Sequence, residues 1–321
     1  MNKRKRFLNE NNREFSLILA LIAMVIVFTL INPLYIQVSN LRDIIDQASI
    51  YGFMGLGMTF VIISGGIDLS VGSVLAALGV IVAKMAVAGI HPVLIIIATI
   101  IIAMVIGSVN GILITKLKLQ PFIVTMGTMM IFRGLAYIIS DGLPVTGVPD
   151  SFRKVVDGVV FANIRVSIFM FIGLTIIFHI LLKNTKFGCH VFAIGGNVES
   201  ARLSGINVDL NLIMIYAVGM VGTALAALVQ IGKLGTGEPS AGQGYEMNAI
   251  AAVAIGGCSM AGGRGGMIGT MIGAILFAGL KIGLIVSGTE TFYQYVATGL
   301  VIIFAAAVEL IQSKLKIKKN K

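Results

Sequence analysis

The sequence predicts an all-α polytopic membrane protein with about ten transmembrane helices; a count of eight is also compatible. Three observations predict it. Only 12% of the 321 residues are charged and 57% are apolar, whereas a soluble globular domain carries about 25% charged residues. Apolar runs recur at the roughly 20 residues that a helix needs to cross a bilayer. The runs do not alternate, as the ~10-residue strands of a membrane barrel would, and lipid leaves only helices or closed barrels as spanning structures.

The expected spans are 15–32, 48–64, 71–90, 93–114, 122–140, 164–182, 211–231, 248–262, 266–287 and 293–312. They form one transmembrane domain, 15–312, between basic tails at 1–14 and 313–321. The first apolar run follows Lys3, Arg4, Lys5 and Arg6 and so looks like a signal peptide. It is long for one and continues into NPLYIQ with no small-residue cleavage site, so it is expected to be retained as a helix. His91 and Pro92 mark a short turn before the fourth span. The stretch 140–158, with its Pro and Asp residues, is the longest outside loop, and 183–209 is the longest inside loop.

Charge placement supports this threading. With the N-terminus inside, sixteen Lys and Arg residues fall on cytoplasmic pieces and five (Arg42, Arg153, Lys154, Arg165 and Lys233) on outside loops. That is the asymmetry of the positive-inside rule. Both tails are basic, so an even number of spans is expected. The net charge of +10 therefore reads as membrane flanks, not as a nucleic-acid surface, which would need a longer basic stretch with aromatics or a reader module. Lys84 and Lys281 are placed to snorkel; Arg133 is too central and is expected to face the bundle interior.

Thirty-nine glycines include the spaced pairs Gly107/Gly111, Gly269/Gly273 and Gly279/Gly283. Small residues let helices approach closely in lipid, so tight packing is their expected role. Cys189 and Cys258 are far apart and imply no disulfide framework. The isolated histidines His91, His179 and His190 suggest no metal site. The sequence contains no Walker pattern, zinc-helix pattern or nucleophile elbow. No catalytic residue and no cofactor is expected, so uphill transport would need a partner or an ion gradient.

The stretch SGGIDLSVGS, 64–73, sets an aspartate between two apolar runs. Gly65 and Gly66 suit a helix end; Asp68 and Ser70 suit the N-cap of the next helix. An intramembrane carboxylate is also a functional candidate by default. Cap and path roles are both open, and both can hold. A second stretch, AIGGCSMAGG at 254–263, repeats the Gly-Gly pair as Gly256 and Gly257. Broken helices at matching places are a mark of transporter repeats, although glycine coincidence also produces such a match.

GGIDLSVGS followed by a small-residue helix resembles the signature of the ribose-type monosaccharide permeases, the membrane subunits of bacterial ABC sugar importers. Further similar stretches are KLQPFIVTMGTMMIFRGLAY (118–137), AIGGNVESARLSGINV (193–208), SAGQGYEMNAIAAVAIGG (240–257) and AGGRGGMIGTMIGA (261–274). The resemblance covers all but the tails. It implies the many-helix architecture of vitamin-B12 permeases, a second permease copy (homodimer or heterodimer), a separate ABC ATPase subunit and an extracytoplasmic sugar-binding protein.

In the inside loop, 183–210, Asn197 is a plausible N-cap, Glu199 and Arg202 complement the helix dipole, and Gly205 can close the helix. A self-capped surface helix of about two turns follows; a mere connector is the alternative. Glu199, Ser200, Ala201 and Gly205 are similar to the E-A-A-x-x-x-G element by which importer permeases dock on their ATPase, with serine in place of the first alanine. The resemblance thus marks Asn197, Glu199, Ser200, Ala201, Arg202 and Gly205 as the coupling element. Gly65, Gly66, Asp68, Ser70, Gly256 and Gly257 are expected at helix breaks or on the path. The spans show few clustered Asn, Asp, Arg or aromatic residues, which suits a weakly binding conduit. The outside stretches 141–163 and 232–247 are candidate docking surfaces. The competing readings are an ion-coupled secondary transporter with Asp68 as coupling site, and a membrane enzyme.

Overall fold

The computed structural model describes residues 3–161, 164–290, 292–297, 299–300, 303 and 307, with side chains from 14 onward except at 161. The expected tail 313–321 lies outside the described residues, as does most of the expected span 293–312. The elements in order are α1 (Lys3–Ile31), a 3-10 turn (Pro33–Ile36), α2 (Val38–Ile63), α3 (Val71–Val87), α4 (Pro92–Lys116) and α5 (Pro121–Ile139). There follow α6 (Asp150–Asp157), a small antiparallel pair β1 (Val159–Phe161) and β2 (Ile164–Arg165), α7 (Val166–Asn184), α8 (Lys186–Gly196) and α9 (Val198–Leu203). Last come α10 (Val208–Leu234), α11 (Tyr245–Ile255) and α12 (Met267–Val286).

Seven of these helices are long and apolar enough to cross a membrane: α1 from Glu14, α2, α4, α5, α7, α10 and α12. The protein is a polytopic helical membrane protein. α3 and α11 fall short at 17 and 11 residues. Two boundaries differ from the sequence reading. α2 starts at Val38 and not near 48, because a polar turn at its start is held by ion pairs that hydropathy does not register. α11 stops at Ile255 and not at 262, because Gly257 turns the chain at φ 77°.

α2 is the centre of the bundle: every residue from Ala48 to Ile63 is buried. α10 packs antiparallel against it through glycines. A Cβ on Gly57 would strike the Gly219 carbonyl, and one on Gly222 would strike that of Phe53. The spaced glycine pairs serve the same end. Gly107 and Gly111 of α4 face Tyr216, Ala217 and Ile213 of α10; Gly269 and Gly273 of α12 face α11; Gly279 and Gly283 meet Met24 and Phe28 of α1. Outer helices leave large apolar side chains uncovered, such as Leu30 of α1, Ile138 of α5 and Ile177 of α7, as a lipid-facing surface requires.

The two ends of the bundle differ, one bearing α6 and the other α9. At the α6 end an ion network ties four elements together. Arg165 Nε lies 3.0 Å from Asp46 Oδ2, and its Nη1 donates to Asp157 Oδ2 at 2.7 Å. Lys233 Nζ donates to the Asp46 carbonyl at 2.8 Å, and Arg153 Nε donates to the Gly232 carbonyl at 3.1 Å. Tyr35, in the 3-10 turn, donates to the Gly279 carbonyl, and burial pushes its phenol up to about 12. Three of the five cations expected on outside loops therefore serve as braces. Asp157 is buried and its Oδ1 already lacks a partner. Arg165→Ala should cost about 2 kcal/mol, the penalty for stranding a buried acceptor, seen as a lower unfolding temperature in detergent. An unchanged temperature would remove the network from the account of stability.

Candidate translocation and coupling site

The first helix break follows α2. Gly65, at φ 87°, turns the chain, and the amides of Gly65 and Gly66 return to the carbonyls of Ile62 and Val61 at 2.9 Å each. Asp68 then does something other than the expected capping. Its Oδ1 accepts from the Ser70 amide at 2.9 Å and from the Ser70 hydroxyl at 2.6 Å. Ser70 is the N-cap position of α3 but makes no side-chain capping bond. Asp68 is two residues short of that cap, so its carboxylate closes the turn itself, an Asx-type turn. Three neighbours fix the turn: Asn110 of α4 donates to Ser70 Oγ at 3.1 Å, while Thr125 of α5 and Tyr216 of α10 donate to the Ile67 carbonyl at 3.3 and 3.5 Å. Asp68 is buried, at 2% exposure. Nothing in the local sequence announces these three partners, although a lone Asn in the run IGSVNGILI was a visible signal.

The second break follows α11 and has the same local geometry. Gly257 takes φ 77°, its amide returns to Ala254, and the Cys258 amide returns to Val253. The equivalence is shifted by one residue from the pairing of the two Gly-Gly dipeptides. Ser64-Gly65-Gly66 corresponds to Gly256-Gly257-Cys258, because positive φ falls on the second glycine of one pair and the first of the other.

The two breaks meet, and α8 sits on their junction. The Gly263 amide donates to the Ile63 carbonyl at 2.8 Å. A Cβ on Gly195, in the last turn of α8, would strike that same carbonyl and lie 2.7 Å from the Gly263 amide nitrogen. A Cβ on Gly262 would lie 3.2 Å from Gly65 Cα. Gly195 and Gly263 thus place three backbones in direct contact, which the sequence reading missed.

α9 follows at once. Asn197 Oδ1 accepts from the Ser200 amide at 2.8 Å. At the other end Gly205 takes φ 81°, its amide bonding to Arg202 and that of Ile206 to Ala201. Glu199 lies in the first turn and Arg202 in the last. Ala201 is buried against the bundle, whereas Leu203 is 88% exposed. Ser200 and Arg202 are exposed beside it. Asn207 caps α10 through the Leu210 amide. Among the described residues no three His, Cys, Asp or Glu side chains converge on a metal-sized site.

Two sharp turns between helices that meet at one end of an apolar bundle, beside a short helix capped at both ends, define a polytopic transport protein of the membrane. The chain belongs to the family described as branched-chain amino acid transport system / permease component, whose profile matches residues 40–306. It is 42% identical to the ribose import permease protein of Bacillus subtilis over 292 residues, 91% of each chain. It is 36% identical to the D-allose transport system permease protein of Escherichia coli over 299 residues, 92% of this chain and 91% of the relative. It is 33% identical to the galactose/methyl galactoside import permease protein of Escherichia coli over 317 residues, 92% of this chain and 94% of the relative. No solved structure matches the chain.

Proposed function

We propose that this protein is the membrane permease subunit of an ATP-driven ABC importer in a bacterial cell membrane, and that it passes a monosaccharide handed over by an extracytoplasmic binding protein. A separate ATPase subunit supplies the energy and a second permease copy completes the path. The bundle then has ten spans in a vitamin-B12-permease-like arrangement, with both termini and the α9 end cytoplasmic. The relatives named for ribose, allose and galactose support a sugar as cargo, although the family description names branched-chain amino acids.

The observation that carries the reading is α9. It is a rigid, doubly capped helix with an uncovered leucine, attached through α8 to the junction of both helix breaks. A partner that grips α9 moves Gly195, and with it the end of α2 and the turn between α11 and α12. That is rigid-body coupling through a docked element. Asp68 is the pivot of the first break, its Oδ1 committed to Ser70.

The test is reconstitution with and without the cognate ATPase and binding protein. ATP-dependent uptake of ribose, allose or galactose, insensitive to a proton uncoupler, is expected. Uptake by the isolated chain that an uncoupler abolishes would overturn the proposal in favour of a secondary transporter with Asp68 as coupling site. ATP-dependent uptake of leucine in place of sugar would reassign the cargo.

A further inference from the structure

The segment between α10 and α11 does not run over the surface. It descends along α3. Its top is pinned to the α5–α6 loop, where Gly237 and Val145 exchange both backbone hydrogen bonds at 2.8 and 2.9 Å. A Cβ on Gly237 would meet Ala83 and lie 3.0 Å from the Gly79 carbonyl, high on α3; one on Gly242 would meet Gly72, at the start of α3. The eight residues from Gly72 to Val80 rise about 12 Å, and the limb makes that descent through a turn in which the Ala241 amide donates to the Glu238 carbonyl at 3.1 Å. α11 therefore begins deep in the bundle. Tyr245 packs edge-on against Tyr51, twelve residues above the end of α2.

Irregular backbone at this depth is tolerated only where protein buries it or where it lines water. Both conditions occur, on opposite faces. Gly237, Pro239 and Gly242 are buried; Ser240 and Gln243 are exposed. Arg133, in the second half of α5, donates from Nη1 to the carbonyls of Pro239 and Ala241, both at 2.7 Å. The Glu238 carboxylate accepts from the Ser240 hydroxyl at 2.8 Å. The charged groups are thus engaged within the limb. What it presents outward is the Gln243 amide and the Ser240 hydroxyl that is bonded to Glu238, set beside the start of α11, where the Glu246 carboxylate accepts from the backbone amides of Gly244 and Glu246.

We propose that the face of this limb bearing Ser240 and Gln243 lines the water-filled path and makes the hydrogen bonds that guide a neutral, polyhydroxylated solute past α3 and α5. This deepens the sugar-importer reading and rests on it. A polar face at membrane depth is not stable against lipid, and discontinuous helices beginning near the midplane are where transporters place their cargo. The Gln243 amide both donates and accepts, which suits vicinal hydroxyls. The chain contains no tryptophan, and Tyr245, the first residue of α11, is packed on Tyr51, so the limb itself offers the cargo no aromatic face. Loose contact favours release.

Full complexes carrying Ser240→Cys, Gln243→Cys or the lipid-facing Ile177→Cys, each with Cys189→Ser, are treated with a membrane-impermeant thiol reagent. Ser240→Cys and Gln243→Cys should react and Ile177→Cys should not. Gln243→Leu should slow sugar uptake on the order of tenfold, the loss of one hydrogen bond to a polar solute, with ATPase stimulation by the binding protein intact. Gln243→Asn should recover most of the rate. If both limb cysteines are as inert as Ile177→Cys, or if Gln243→Leu transports at the wild-type rate, the proposal fails. Labelling does not depend on which cargo moves, so failure of the sugar reading would be recognised separately.

Discussion

Replacing Gly195 by alanine is expected to abolish ATP-coupled uptake, while the same change at Gly196 leaves it intact. The two glycines are neighbours in one helix turn, so helix propensity acts on both alike. Their surroundings differ. The alanine methyl at 195 would land on the Ile63 carbonyl and beside the Gly263 amide, whereas at 196 nothing lies within 4 Å. Backbone is the obstacle and cannot rotate away. Overpacking of this kind typically costs about 1–3 kcal/mol or forces a shift, and here the shift would separate α8 from the two breaks. The Gly263-to-Ile63 hydrogen bond would be strained or lost with it. The expected phenotype is a permease that still copurifies with its ATPase, because α9 is untouched, but whose ATP hydrolysis no longer responds to the loaded binding protein. Uptake by Gly195→Ala equal to that of Gly196→Ala would show that the junction carries no motion.

The second large effect is expected at Asp68. Asp68→Leu removes the acceptor for the Ser70 amide and hydroxyl inside the bundle. Each stranded buried donor costs about 1–3 kcal/mol. Asn110, which donates to Ser70 and whose own Oδ1 has no partner, loses its anchored neighbour. Asp68→Asn keeps an oxygen where Oδ1 stands and retains the turn. The leucine variant should lose transport and melt at a lower temperature, while the asparagine variant should stay close to wild type in both. If the asparagine variant is folded yet as inactive as leucine, the charge and not the turn is what transport requires. Asp68 would then return as an ion-coupling site.

Much of this was legible in the chain. The lipid class of the fold, most helix positions and the self-capped α9 follow from runs, glycines and short polar side chains that act within a few residues of themselves. The errors have the same origin. The start of α2 was placed ten residues late because Asp46 is held by Arg165 and Lys233, far along the sequence. The spacing of Asp68 and Ser70 permits capping and leaves a path role open; it does not name Asn110, Thr125 and Tyr216, which reach the turn at Ser70 and Ile67 from three other helices. The stretch 232–247, expected as an outside docking surface, instead runs along α3 and is latched by Arg133, more than a hundred residues away.

The sequence by itself determined that this is a membrane bundle, where its helices break, and that a capped helix stands on its surface, since each of these is a local balance of hydropathy and backbone bonding. Only the tertiary structure decided that the two breaks touch, that Gly195 lies against both, and that the descent to α11 runs along α3. In lipid a helix is apolar on nearly every face, so periodicity names no neighbour, and the partners are fixed by close backbone approach at glycines dispersed along the chain.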